Sequence, residues 1–147
     1  MLSQLEKNER HNSRELVVST LYSLDFNGNL STDVGLELLP GFDVEELDSL
    51  NNTVVIYAKL LITGILNNLE QIDSIIKEHS LNRPIEKINF VDRNILRLSI
   101  YSLIYEKDLH KSIIINEAIH LSQEMSTDVT YKFINGLLDA AALKLGR

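Results

Sequence analysis

The stretch "FVDRNILRLSIYSLIY", residues 90–105, decides how the rest of the chain is read. On a helical wheel Ile95, Leu96, Leu98, Ile100, Tyr101, Leu103 and Ile104 point in every direction, so a helix here has no polar face to turn to water. Asn89, just ahead of it, is placed to cap its first turn. A helix that is apolar all round belongs in the middle of a bundle, with neighbours on every side.

The flanking sequence supplies those neighbours. Downstream, "SIIINEAIHLSQEM" carries a β-branched run, yet Ile114, Ala118, Leu121 and Met125 repeat at i, i+4, i+7 and i+11, which is a helical stripe. A last helix is expected from about Thr127, ending at Gly146. Gly136 lies inside it at a cost of about 1 kcal/mol against alanine, and close approach of a neighbouring helix is the expected reason. Upstream, Pro84 in "LNRPIEKIN" marks a loop. Before that, Leu47, Val54, Leu61, Ile65, Ile72 and Ile76 share one stripe, with Asp43 as its N-cap and a break expected at Gly64 or Asn67-Asn68. A short acidic helix is expected between Ser31 and Pro40. The first helix is expected over about residues 8 to 25, with Val17, Leu21 and Leu24 inward and Gly28 ending it in the left-handed conformation. No stretch alternates cleanly with period two. The fold class is therefore all-α, a bundle of about six or seven helices.

Composition narrows the chemistry. With 147 residues and 44% hydrophobic residues, the chain can bury a core as one domain. It has no cysteine, which removes disulfides, zinc-binding thiolates and a thiol nucleophile. His11, His79, His110 and His120 follow no metal-ligand spacing, and the six glycines build neither a P-loop nor a dinucleotide fingerprint. No catalytic residue, cofactor or metal is expected, and the chain is read as a binding protein. The opening residues lack an apolar signal core and no apolar run spans a bilayer, so a cytoplasmic protein without membrane contact is expected.

The formal charge of −7 is localised. Residues 1–24 and 49–147 are each balanced, whereas Asp25, Asp33, Glu37, Asp43, Glu45, Glu46 and Asp48 meet no Lys or Arg between residues 25 and 48. That segment is either a solvated acidic face or a site for a basic partner. Elsewhere two charged features matter. Arg97 lies in the helix expected to be most buried and needs a partner; Glu117 of "INEA" is the expected one, forming a structural ion pair whose loss on Glu117→Ala should cost about 3 kcal/mol. In "NERHNSRELVVSTLY", residues 8–22, the i, i+4 row Arg10, Arg14, Val18, Tyr22 spans about 18 Å of helix. Two guanidiniums and an aromatic ring can hold phosphates and stack an unpaired base, but the same row also fits a plain solvated helix face.

The C-terminal third carries a resemblance. "NFVDRNILRLSIYSLIY" followed by "INEAIHLSQEMSTDVTYKFINGLLD" resembles, in the spacing of "ILR", "INEA" and "KFINGLLD", the NusB family of bacterial transcription antitermination factors, and "SRELVVSTLYS" is similar to that family's first helix. Residues 26–80 match only in length and helical character. The resemblance implies an all-α fold of two packed helical subbundles, a single NusB-like helical RNA-binding domain over residues 1–147, and no enzyme activity. It implies binding of boxA-type RNA together with NusE, a small-subunit ribosomal protein, and service to RNA polymerase in an antitermination complex on rRNA operons. A homodimer that occludes the RNA-facing surface is a further possibility it carries. Carried over by position, Arg10, Arg14 and Tyr22 meet RNA, with Asp92, Lys132 and Phe133 joining them; Phe133 also fits the apolar stripe of the last helix, so core and RNA-facing roles both stand. The first helix here interleaves acids among its bases, which implies weak RNA binding by the chain alone and reliance on its partner. The acidic segment would then steer a basic NusE, and neutralising Asp33, Glu37 and Glu45 should slow association at low salt. The competing reading is a helical protein–protein adaptor without direct RNA binding. A fused RNA cytosine methyltransferase is disfavoured, since 147 residues leave no room for a cofactor domain and no cysteine is present to act as nucleophile.

Overall fold

In a computed structural model, residues 4–32, 51–81, 83–127 and 129–147 are described. These form six α-helices: α1 (Gln4–Phe26), α2 (Asn52–Asn67), α3 (Leu69–His79), α4 (Phe90–Tyr105), α5 (Lys111–Met125) and α6 (Tyr131–Lys144), with a 3-10 turn at Ile85–Lys87. There is no strand among the described residues. The chain is all-α, as its periodicity implied. It divides into two compact units, residues 1–67 and 68–147.

In the first unit α1 packs on α2. Leu16, Val17, Val18, Leu21 and Leu24 of α1 are buried, as are Val54, Ala58, Leu61, Ile62 and Ile65 of α2. Each fully buried Leu or Ile contributes about 1.5–3 kcal/mol of transfer free energy, so apolar packing dominates this helix pair. Polar contacts then fix its register. The buried Ser13 hydroxyl donates to the Val54 carbonyl at 3.1 Å, and Asn51 caps α2 by accepting from the Thr53 N–H at 2.8 Å. Helix α1 ends where expected: Gly28 has φ +71°, and the Asn29 N–H returns to the Leu24 carbonyl at 2.7 Å.

In the second unit α4 is the centre. It packs against α3, α5 and α6, and Ile95, Leu96, Leu98, Ile100 and Leu103 are at most 1% exposed. Asn89 caps it, its side-chain oxygen accepting from the Asp92 N–H at 2.8 Å. The break between α2 and α3 falls at Asn68, within the expected stretch. The last helix starts four residues later than Thr127, with Thr130 at its N-cap position and no side-chain cap hydrogen bond there. Gly136 corrects an expectation. A Cβ there would meet nothing within 4 Å and the residue is exposed, so no neighbouring helix demands a glycine. The acidic helix before Pro40, the Asp43 cap, Leu47 and the charge excess from Asp33 to Asp48 all lie outside the described residues.

Arg97 is 5% exposed on α4 and is held by a carboxylate that the sequence did not single out. Its Nε donates to Asp73 Oδ1 at 2.8 Å and its Nη2 to Asp73 Oδ2 at 3.1 Å, a two-pronged pair that ties α4 to α3. A third donor reaches Asn94 Oδ1 at 3.0 Å. Glu117 is half-buried on α5.

Candidate nucleic-acid interface

In the first unit the geometry begins with the row spaced four residues apart on α1. Its middle faces inward: Val18 is fully buried and Arg14 is 6% exposed. The Arg14 guanidinium lies 5.7 Å from the centroid of the Tyr57 ring, with a long 3.5 Å contact from Nη2 to the Tyr57 hydroxyl. Hence the row is not a continuous solvent ridge, and its two ends are the reachable parts. Arg10 is half-exposed and lines a cleft of about 250 Å³ with Glu6, Glu9, Ser13, Thr53 and Tyr57. Two carboxylates beside one guanidinium lower the local attraction for phosphate. At the other end Tyr22 is 39% exposed. It stacks on Phe26, with ring centroids 6.0 Å apart and planes 11° from parallel. Phe26 is 63% exposed. An aromatic pair left open to water offers π-faces that any base can stack upon.

The second unit carries the other three residues. Asp92 is 1% exposed, and its carboxylate is committed to the fold. One oxygen accepts from Asn89 Nδ2 at 2.6 Å and the other from the Thr130 hydroxyl at 3.3 Å. The Asn89 side chain also caps the Asp92 N–H, so the two side chains lock the first turn of α4, and the Thr130 contact ties that turn to the residue ahead of α6. Lys132 is exposed in the first turn of α6. Phe133 is half-buried, and the Arg83 guanidinium lies 4.5 Å from its ring centroid. The ring is thus partly covered, and a cation lies over it.

Three residues in these places were missed by sequence reasoning. Phe26 was findable, since it continues the row 10, 14, 18, 22 by one turn. Arg83 sits in the loop marked by Pro84, where no periodicity reports which side chain a loop residue meets. Asp73 shares α3 with Ile72 and Ile76 and gave no signal beyond helical spacing.

Comparison with known proteins adds an independent line. The model of the NusB family matches residues 11–143. The transcription antitermination protein NusB of Treponema denticola is 40% identical over 121 residues, covering 80% of this chain and 89% of that protein. NusB of Shewanella sp. (strain W3-18-1) is 36% identical over 135 residues, covering 92% and 96%. Among solved structures, T. maritima NusB superposes with a TM-score of 0.78 at 31% identity, covering 92% of this chain and 91% of that one. A structure of antitermination factors NusB and NusE in complex with dsRNA contains a chain that superposes with a TM-score of 0.78 at 28% identity, covering 93% and 98%. The chain therefore belongs to the NusB family of transcription antitermination factors, which are not enzymes.

Proposed function

We propose that this protein binds boxA-type RNA jointly with NusE and helps RNA polymerase resist termination on rRNA operons, working in the cytoplasm. The observation that carries this is the near full-length likeness to a chain solved with NusE and RNA, over 93% of the residues here. On α1, Arg10 is the phosphate contact and Tyr22 the stacking ring, while in the second unit Lys132 adds a phosphate contact. Arg14 and Asp92 serve from within: both are buried, and the Asp92 carboxylate accepts from the Asn89 cap of α4 and from Thr130 ahead of α6. No described helix is long and apolar enough to cross a membrane.

Fluorescence anisotropy of a boxA-type RNA in the presence of NusE tests the assignment. Arg10→Ala should weaken binding about fivefold, or about 1 kcal/mol, and lower the logarithmic salt dependence by about 0.7. Unchanged affinity and salt dependence would remove Arg10 from the interface. If no RNA is held even by the wild type with NusE, the protein is an adaptor that binds protein alone.

A further inference from the structure

In the second unit, α3 closes at Ser80 and the chain turns through Leu81, whose φ of +54° puts a non-glycine residue in the left-handed region. The Ser80 hydroxyl, in a residue 4% exposed, donates to the Arg83 carbonyl at 2.7 Å. The Arg83 N–H returns to the Ser80 carbonyl at 3.0 Å. Pro84 follows in extended conformation. The Arg83 backbone is thus pinned on both sides while its side chain stands in solvent over Phe133.

Charge and shape point to what it awaits. Arg83, Lys77 and Lys132 are exposed, and none pairs with a carboxylate among the described residues. Lys77, Ser80, Leu81, Arg83 and Pro84 line a cleft of about 190 Å³. A guanidinium is planar and, exposed over a phenyl ring, can take a base by stacking, while a neighbouring ammonium takes a phosphate as a point charge.

We propose that Arg83, held over the Phe133 ring, is the stacking surface for one unpaired RNA base in the second unit, and that Lys77 binds the adjoining phosphate. This rests on the RNA-binding reading above. Phe133 is then a positioning residue that acts through Arg83 and does not meet the base itself. The role differs from simple charge attraction because lysine cannot replace arginine in it.

The test uses the full chain with NusE and a short single-stranded boxA-type RNA, alongside copies of that RNA made abasic at one position at a time. Arg83→Lys should keep the salt dependence yet weaken binding about fivefold, the lower end of a base-stacking contribution. Arg83→Ala should weaken it further and lower the salt dependence by about 0.7, and Lys77→Ala should lower that dependence alike. At one abasic position, and only there, the Arg83→Lys penalty should disappear, and so should that of Phe133→Leu. An Arg83→Lys protein with wild-type affinity, or a penalty that every abasic RNA still shows, overturns the stacking role. So does weakened capture of NusE without RNA, which would make Arg83 a protein contact. If Arg10→Ala weakens binding while the Arg83 variants do not, this inference fails and the RNA-binding reading survives; a wild type that holds no RNA overturns both.

Discussion

Arg97 is the residue on which the second unit most depends electrostatically. Its guanidinium is almost wholly out of water, and the Asp73 fork meets two of its donors. Asp73→Ala should therefore destabilise the fold by about 3 kcal/mol, the cost of leaving a buried charge without its carboxylate. Glu117→Ala, which leaves that fork in place, should cost less; a urea titration that ranks the two the other way would make Glu117 the main partner. At this scale the sequence was legible for need and not for partner. A buried arginine had to be paired, but Asp73 lies 24 residues away and its approach depends on how α3 crosses α4. The same limit explains Arg14: spacing placed it in a row with Arg10, and only the packing of α1 on α2 shows that it is buried beside Tyr57.

At the scale of elements, helix ends follow local chemistry closely. Asn89 caps α4, Gly28 and Gly146 adopt positive φ after the helices they close, and the Asn68 break separates two helices of one apolar stripe. These features were readable because caps and left-handed turns depend on a few neighbouring residues. Gly136 was misread because a glycine in a helix signals an exception without saying which. With open space at its Cβ, Gly136→Ala should raise stability by about 0.5–1 kcal/mol through helix propensity and reduced chain entropy. A lower melting temperature for that variant would mean that the added methyl group is not accommodated. The start of α6 was misplaced by four residues because Thr130, just ahead of it, makes no side-chain cap that local sequence could report.

For the molecule as a whole, the fold class and the family were legible at both ends of the chain, where α1 and the α4–α6 segments carry the matching residues. The candidate interface could be listed from the sequence as residues but not as a surface. Of the six residues carried over, Arg14 and Asp92 are buried, Phe133 is covered by Arg83, and Arg10 shares its cleft with Glu6 and Glu9. Of these six, Arg10 and Lys132 are the cations still within reach of phosphate, so the protein should hold RNA weakly alone and need NusE for stable binding. The direct measurement is the affinity of the wild type for a boxA-type RNA, with and without NusE, across about 50–200 mM salt. Weak binding with a shallow salt dependence is predicted for the protein alone, and at least about tenfold tighter binding with NusE; equal affinity in both cases, or no RNA bound in either, would contradict this.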